Sequence, residues 1–227
     1  MKNSYSPQRV LSATALILSL TFAPLSFADN DLLAETSSKS SEQIEKIKTE
    51  LMTKLSKINY INASFSQTVV SDLGEVLQEG KGTIAISKPD LVNWHTQEPD
   101  ETLIVSDGKS LWFYDPFIEQ VTLYSFTKSI ANTPVLLLTS EDPKLWDDFQ
   151  VSQSVANSYV ITSLNDESQI KSLTLTFKAD QLQQLTILDS TGQSSHITLQ
   201  NVDFTTKPDE SLFNFVIPEG VVLDDQR

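Results

Sequence analysis

The sequence has no cysteine and only two histidines, and each shortage removes a class of function. Without cysteine there is no disulfide, no thiolate metal ligand, and no acylated N-terminal cysteine of the kind that anchors a bacterial lipoprotein. His95 and His196 are far apart in strand-like patterns, and no His-Glu-x-x-His pair is present. We therefore expect no metal site, and no lipid anchor on this chain.

Glycine is also scarce, and none of the six glycines belongs to a catalytic motif. Gly80-Lys81-Gly82 lacks the third glycine and the following helix of a dinucleotide loop, so it is typical of a turn or bulge. No Gly-x-Ser-x-Gly elbow occurs. A triad built from scattered serine, histidine and aspartate is the alternative that stays open. The sequence predicts a protein that is not an enzyme and has no cofactor.

Basic residues are few, with 16 Lys and Arg against 30 Asp and Glu and a net charge of −14. A surface of this sign disfavours nucleic acid and anionic lipid, so we expect no nucleic-acid partner. Two interpretations of the charge are open, solubility and attraction to a basic partner.

The first 28 residues have the pattern of a secretory signal peptide. Lys2 and Arg9 precede an apolar stretch at 10–22, and Ser26 and Ala28 occupy the −3 and −1 positions of a cleavage site. A cut after Ala23 and an uncleaved anchor are the alternatives, but the apolar stretch is short for a permanent span. We expect a single domain at 29–227, in an exported chain.

An amphipathic helix is predicted after a polar, serine-rich stretch at 29–39. Ser40 as N-cap and Gln43 three residues later form a capping box. Apolar residues then recur with helical spacing from Ile44 to Ile58, opposite a face of Glu and Lys. This stripe predicts a helix that packs on an apolar surface.

From Asn62 onward the apolar period changes to two, which indicates many short strands. Turn signals separate them about every ten residues and predict one antiparallel meander, curled into a barrel or half-barrel. The predicted strands are near Ala63–Val69, Leu77, Gly82–Ser87, Leu91–Thr96, Glu101–Ser106, Ser110–Tyr114, Glu119–Tyr124, Phe149–Gln153, Ser158–Leu164, Ser172–Lys178, Leu182–Leu188, Ser195–Phe204 and Phe213–Ile217.

Two short helices are predicted to interrupt the strands. One follows Thr133-Pro134 and is apolar on every side through Leu138, and the other follows Asp142-Pro143. A helix that is apolar all round must be covered on both sides or lie over a cavity.

The hairpin at Asp107-Gly108 is apolar on both faces. A two-residue loop would pair Ile104 with Leu111, and the other face carries residues such as Val105 and Trp112. One face would pack on a helix and the other would line an interior; a two-sided core without a cavity is equally open.

Several blocks of the sequence closely resemble the LolA family of periplasmic outer-membrane lipoprotein carriers. The most specific block runs from Lys88-Pro89-Asp90-Leu91-Val92-Asn93-Trp94-His95 through Val105-Ser106-Asp107-Gly108 to Asp115-Pro116-Phe117. Phe65-Ser66-Gln67, Asn132-Thr133-Pro134 and the Phe213–Val221 ending also match, so the resemblance covers nearly the whole chain after residue 28 in the same order.

The resemblance implies a fold of the α+β class that is mainly antiparallel β. It implies an incomplete, half-open barrel of about eleven strands, with a lid of short α-helices over a hydrophobic cavity. A monomer in the periplasm would accept acylated lipoproteins released by an inner-membrane ABC complex, shield their acyl chains, and pass them to an outer-membrane lipoprotein receptor. The alternative is a periplasmic lipid or lipoprotein sensor of the same fold.

The resemblance also suggests site residues and two departures from the family pattern. Well-known members have arginine in place of Lys88, a side chain thought to latch the lid through backbone carbonyls, and often an aromatic residue in place of Val92. Lysine lacks the planar fork of arginine, so a looser latch is expected here. The residues expected near the cavity or lid are Leu51, Leu55, Val69, Val92, Trp94, Ile104, Val135, Leu136 and Leu138.

Overall fold

The fold is described from a computed structural model, which gives the backbone of residues 30–129 and 134–227 and the side chains of 42–129 and 135–227. The predicted signal peptide and the Asn132-Thr133 helix start lie outside the described residues. The chain divides into two units, Met1–Ser38 and Lys39–Arg227. The described part of the first unit is the beginning of a helix, and the second contains the sheet.

The first helix, α1, spans Asn30–Ser56. Its predicted apolar stripe is helical from Ile44 to Leu55, but Ile58 lies beyond the end of the helix at Ser56. The helix also begins ten residues before Ser40, so the predicted capping box at Ser40 is wrong. The segment Leu32-Leu33-Ala34-Glu35 consists of good helix formers, and no glycine or proline separates it from the stripe.

Twelve strands form one sheet, against about eleven predicted. Leu77 and Gly82–Ser87 belong to a single long strand. The strands are β1 Tyr60–Val70, β2 Val76–Ser87, β3 Leu91–Glu98, β4 Thr102–Asp107, β5 Ser110–Asp115, β6 Gln120–Ser125, β7 Phe149–Val155, β8 Ser158–Ser163, β9 Ile170–Lys178, β10 Gln181–Asp189, β11 Ser194–Asp203 and β12 Val222–Asp225.

The strand order is β12-β6-β5-β4-β3-β2-β1-β11-β10-β9-β8-β7, so the sheet is open, with β12 and β7 at its edges. Two antiparallel meanders, β1–β6 and β7–β11, meet where β1 pairs with β11. The prediction of an open, mainly antiparallel sheet is confirmed. The single meander is wrong, since β12 returns to pair in parallel with β6.

In the β4–β5 hairpin each side chain lies on the predicted face of the sheet, but the residues that pair across the two strands differ from the prediction. Ile104 pairs with Phe113 and Ser106 with Leu111, which leaves a four-residue loop. The Asp107 carboxylate accepts the N–H groups of Lys109 and Ser110, each at 2.8 Å, and this lengthens the turn. Because the pairing changes by an even number of residues, each side chain stays on its predicted face.

The connection between β6 and β7 contains short helices, but the two predicted α-helices are 3₁₀ helices. A one-turn helix α2, Phe126–Ser129, follows β6, and the 3₁₀ helices are Pro134–Leu138 and Pro143–Trp146. Asp142 caps the second, accepting the N–H of Lys144 at 2.9 Å. Prolines at the start of four- or five-residue segments leave no length for a regular α-helix.

The C-terminal segment covers the outer face of β3–β6, where a strand at Phe213–Ile217 was predicted. Glu210–Phe213 is instead a 3₁₀ helix capped by Asp209, whose carboxylate accepts the Ser211 N–H at 2.8 Å. The Phe215 ring then lies 6.0 Å from that of Trp112 and 5.9 Å from that of Tyr114. Phe213 and Phe215 therefore pack on the sheet from outside, and the segment does not join it as a strand.

Candidate functional site

The opposite, inner face of the sheet carries a buried apolar cluster. Phe65 of β1, Ile84 of β2 and Trp94 of β3 point into it, since residues two apart along a strand share a face. The apolar stripe of α1 covers this face through Leu51, which is 0% exposed, and Leu55. The predicted amphipathic helix on an apolar surface is confirmed.

The structure brings together eight of the nine residues predicted for the cavity or lid. Ile104 and Val135 are half-buried and pack against the cluster, whereas Val69 is half-buried near the end of β1 and is not among the described members of the cluster. Their role in acyl-chain binding stays a prediction. The six that belong to the buried cluster are Leu51, Leu55, Val92, Trp94, Leu136 and Leu138.

Phe65 is a central residue of this cluster that the predicted set omitted. Its ring centroid lies 4.9 Å from that of Trp94. Gly82 on the neighbouring strand makes room for it, because a Cβ there would lie 2.6 Å from Phe65 Cζ and 2.1 Å from the His95 carbonyl oxygen. The pairing of Phe65 with Gly82 across β1 and β2 was the available sequence signal, but it requires the strand register.

Two cavities open beside the cluster. One of about 230 Å³ lies between α1, the β2–β3 turn and the 3₁₀ segments, and its lining includes Leu55, Lys88 and Trp146. The other, of about 520 Å³, lies on the inner face of β4–β6, and its lining includes Leu111, Phe113 and Tyr124. Phe113 and Tyr124 are partly exposed there, so apolar surface on the inner face remains open to solvent.

Lys88 joins the β2–β3 turn to the C-terminal end of α1. Its ammonium Nζ donates to the Leu55 carbonyl oxygen at 2.6 Å, and its main-chain N–H donates to Asn59 O at 2.9 Å. Burial lowers the pKa of Lys88, and the nearby Glu141 carboxylate opposes that shift. Lys88 therefore bonds a backbone carbonyl of α1, and its role as a lid latch stays a prediction.

Asp90, in the same turn, contacts the segment after the first 3₁₀ helix. Its N–H donates to Thr139 O at 3.2 Å, and its carbonyl accepts the Ser106 hydroxyl at 2.8 Å. Burial raises the pKa of the Asp90 carboxyl, a hydrogen bond with Ser140 opposes the shift, and the charges of Glu141 and Asp142 add to it. An ionised Asp90 is therefore disfavoured at this contact.

Lys48 of α1 bonds the second 3₁₀ helix, Pro143–Trp146. Lys48 Nζ donates to the carbonyl oxygen of Trp146 at 3.1 Å and lies 3.9 Å from the Asp147 carboxylate. Trp146 is buried in the cluster beneath this contact. We call α1 and the 3₁₀ helices Pro134–Leu138 and Pro143–Trp146 the cover of the inner face. The cover combines apolar packing with single lysine–carbonyl bonds at Lys48 and Lys88.

On the other half of the sheet α1 is held by side chains of β8, β9 and the β9–β10 turn. The buried Tyr159 hydroxyl donates to Glu50, and burial together with this carboxylate raises the tyrosine pKa. Lys54 pairs with Asp180 at 3.0 Å and lies 5.7 Å from the centre of the Phe177 ring. Polar contacts to this half of the sheet therefore hold the last two turns of α1 at Glu50 and Lys54.

No group of three or more metal-ligating side chains occurs in the described residues. His95 pairs with Glu101 at 2.8 Å, and His196 lies 3.2 Å from the Thr186 hydroxyl, at separate places in the sheet. No described helix is long and apolar enough to cross a membrane. The described site is therefore an apolar inner face of the sheet, covered by α1 and two 3₁₀ helices that a small number of side-chain hydrogen bonds hold in place.

A family model described as "Outer membrane lipoprotein carrier protein LolA" matches residues 56–216. The chain belongs to the LolA family. The matched range of this LolA-family chain contains every strand from β1 to β11, the Lys88 turn and both 3₁₀ helices of the cover. The family is one of carrier proteins, which agrees with the expectation of a non-enzymatic role.

Curated relatives share about two fifths of their residues with this LolA-family chain. An outer-membrane lipoprotein carrier protein of Photorhabdus laumondii is 41% identical over 78% of this chain and 87% of its own length. That of Glaesserella parasuis is 42% identical over 78% and 85%. A solved putative outer membrane lipoprotein-sorting protein domain of Vibrio parahaemolyticus has a TM-score of 0.48 at 11% identity, covering 76% of this chain and 97% of that one.

Proposed function

We propose that this protein carries lipoproteins across the periplasm. It accepts acylated lipoproteins that an inner-membrane ABC complex releases, shields their acyl chains against the inner face of its sheet, and delivers them to an outer-membrane lipoprotein receptor. The observation that carries the proposal is the apolar inner face, covered by α1 and the 3₁₀ segments. Membership of the LolA family and relatives named as carriers of outer-membrane lipoproteins support it.

The physics of acyl chains requires such a surface. Burial of a chain of about 16 carbons is worth roughly 13 kcal/mol at ~0.8 kcal/mol per CH₂. A lipoprotein leaves a membrane only if a comparable apolar shelter replaces it. The cavity of about 520 Å³ at Leu111, Phe113 and Tyr124 is where apolar surface is already open, so acyl chains enter there and displace the cover.

The cover must also move, and its bonds are arranged for that. Lys88 to Leu55 is a single lysine–carbonyl bond between the sheet and α1, and Lys48 to Trp146 is another between α1 and the second 3₁₀ helix. Each net contribution is about 1.5–3 kcal/mol for a charged donor, small beside the free energy of acyl-chain burial. We infer that Lys88 is the latch of the cover and that the ABC complex supplies the energy for loading.

The test adds the purified protein to spheroplasts that contain the cognate transporter. Acylated lipoprotein should appear in the supernatant as a complex with the carrier. The variant Phe113→Glu places a charge on the open apolar surface and should lower release at least about tenfold, since an unpaired buried charge costs several kcal/mol.

Val155→Glu is the matched control, because Val155 is an exposed valine on edge strand β7. It should release lipoprotein like the parent protein. Absence of release by the parent protein with an active transporter would refute the carrier function. Equal release by Phe113→Glu would refute the assignment of the acyl chains to this cavity.

A further inference from the structure

The turn between β5 and β6 presents two large apolar side chains to solvent. Phe117 is 90% exposed and Ile118 is 58% exposed. This turn is at the opposite end of the strands from the Lys88–Asp90 turn, because Leu91 pairs with Asp107 and Leu103 pairs with Tyr114. Phe117 and Ile118 are exposed and do not contribute to the buried cluster of the inner face, so packing of the core does not account for their apolar character.

The turn holds the two side chains in a fixed arrangement. The Asp115 carboxylate accepts the N–H of Phe117 at 2.9 Å and that of Ile118 at 3.3 Å. An aspartate that bonds the following N–H groups in this way defines the turn locally. An aromatic side chain presented by an ordered turn loses little entropy on binding, which is the property of an interface anchor.

The edge strand β12 extends this apolar surface. The N–H of Val222 donates to the Glu119 carbonyl oxygen at 2.9 Å, which places the start of β12 beside the turn. Val222 is 64% exposed. We call Phe117, Ile118 and Val222 the corner patch; an exposed group of apolar residues with polar neighbours is typical of a protein-binding surface.

The charges around the corner patch have one sign. Residues 110–127 and 208–226 contain no lysine or arginine, whereas they contain Asp115, Glu119, Glu219 and the Asp224-Asp225 pair. Only Asp225 of these has a basic partner, Arg227 at 2.6 Å, among the described contacts. Carboxylates near an apolar anchor oppose an anionic lipid surface and attract a basic protein surface.

We propose that the corner patch is a docking surface for a protein partner whose own surface is an apolar pocket bordered by lysine or arginine. Phe117 fills the pocket, and Glu119 and Glu219 pair with the basic border. The corner patch and the Lys88–Asp90 turn lie at opposite ends of the strands. A partner bound at the corner patch therefore leaves α1 free to move. The proposal does not depend on the cargo.

The test measures co-sedimentation of the purified, cargo-free protein with envelope membrane vesicles of its own bacterium. Protease-treated vesicles and liposomes of the extracted lipids serve as parallel probes. The protein should bind untreated vesicles and neither of the others. Phe117→Glu should lower binding at least about tenfold, as expected for loss of an aromatic anchor, with an unchanged thermal midpoint.

Leu73→Glu is the matched control, since Leu73 is 81% exposed in the β1–β2 turn, separated from the corner patch by β3 and β4. It should bind within about twofold of the parent. The double variant Glu119→Gln, Glu219→Gln should bind more weakly, and its binding should depend less on added salt.

Three results would overturn the proposal. Unchanged binding by Phe117→Glu would remove the anchor, and equal binding to liposomes would make the patch a lipid-binding surface. A dimer in analytical ultracentrifugation that Phe117→Glu dissociates would make the partner a second copy of this chain.

Discussion

At the scale of single residues, Lys88 has two opposing contributions. Its ammonium group meets a carbonyl in the last turn of α1, where the helix dipole favours a cation. Burial lowers its pKa and so disfavours the same charge. Because burial offsets part of the attraction between the ammonium group and the helix end, the bond from Lys88 to Leu55 O can break at low cost. A carrier needs such a bond, since α1 must leave the inner face for cargo to enter.

Lys88→Leu should keep the apolar contacts of this side chain and remove its bond to Leu55 O. Loss of a charge-assisted bond worth about 1.5–3 kcal/mol should raise the population with an uncovered inner face about tenfold or more. An environment-sensitive apolar dye should then bind more strongly, and loading and release of lipoprotein should both change.

Lys88→Arg is the control for charge, because the guanidinium group can donate to more than one carbonyl. It should bind less dye than the parent protein. If Lys88→Leu and the parent gave the same dye binding, loading and release, Lys88 would not be a latch.

Asp90 predicts a pH dependence whose sign follows from its raised pKa. A carboxyl with a pKa above its ordinary 3.8 binds its proton more tightly in the folded state, so ionisation destabilises the fold as pH rises through that pKa. Asp90→Asn removes the charge and tolerates the residue's φ of 64°. The variant should be more stable at pH 7, and this gain should vanish as pH falls below the ordinary carboxyl pKa.

Denaturant unfolding of both proteins between pH 3 and pH 7 measures the difference in the free energy of unfolding. Asp107→Asn, at the exposed β4–β5 turn, provides the comparison for a solvent-exposed carboxylate in the same region. A gain that stayed constant over the whole pH range would show that the charge of Asp90 is not its cause.

Gly82→Ala should destabilise the protein through backbone contact. The added methyl group would meet the His95 carbonyl oxygen and the Phe65 ring, neither of which is the end of a flexible chain. Overpacking of this kind costs typically about 1–3 kcal/mol. Thermal unfolding should show a lower midpoint, whereas Thr83→Ala on the exposed face of the same strand should change it little.

At the scale of elements, patterns carried by one segment could be predicted and patterns that depend on pairing could not. Apolar alternation located eleven of the twelve strands, and the stripe of α1 identified the face that it buries. The predicted register of the β4–β5 hairpin was wrong because hydrogen bonds to the Asp107 carboxylate, and not residue spacing, set the length of the loop. The candidate site followed the same rule: Leu51 and Trp94 were predicted, whereas Phe65 required knowledge that Gly82 lies opposite.

The last strand was missed for a similar reason. Phe213 to Ile217 alternates like a strand, but its aromatic residues pack on the sheet as a separate layer. Val222–Asp225 is short and acidic, and only its partner β6 makes it a strand. Neither outcome can be read from the segment alone, since packing decides both.

The contact of α1 with the second 3₁₀ helix gives a prediction for an element. Lys48→Met keeps the side-chain length and removes the bond to Trp146 O. Amide hydrogen exchange should become faster at residues 143–147, by up to about tenfold for a bond of about 1.5 kcal/mol. Exchange in β8 should not change.

Lys46→Met is the control, because Lys46 is an exposed lysine of the same helix. Equal acceleration by both variants would mean that helix charge, and not the Trp146 carbonyl, governs the exchange.

At the scale of the whole molecule, the open inner face predicts how affinity depends on acyl-chain length. Each CH₂ buried should contribute about 0.8 kcal/mol, or about fourfold in affinity, until the available surface is filled. Titration calorimetry with lipopeptides of increasing chain length should show this rise and then a plateau. Phe113→Glu should reduce the rise per CH₂; an affinity independent of chain length would contradict acyl-chain burial.

The central position of β1 also constrains when the protein can fold. Its neighbour β11 is far away in sequence, as the bond from Ser64 to Gln200 shows with a separation of 136 residues. During the export that the proposed function requires, the first meander emerges long before this partner, and long-range pairings of this kind form slowly. The nascent chain therefore spends its passage with an unpaired strand and a bare apolar face. We expect envelope holdase chaperones to matter most in this interval, before the carrier can shelter anything.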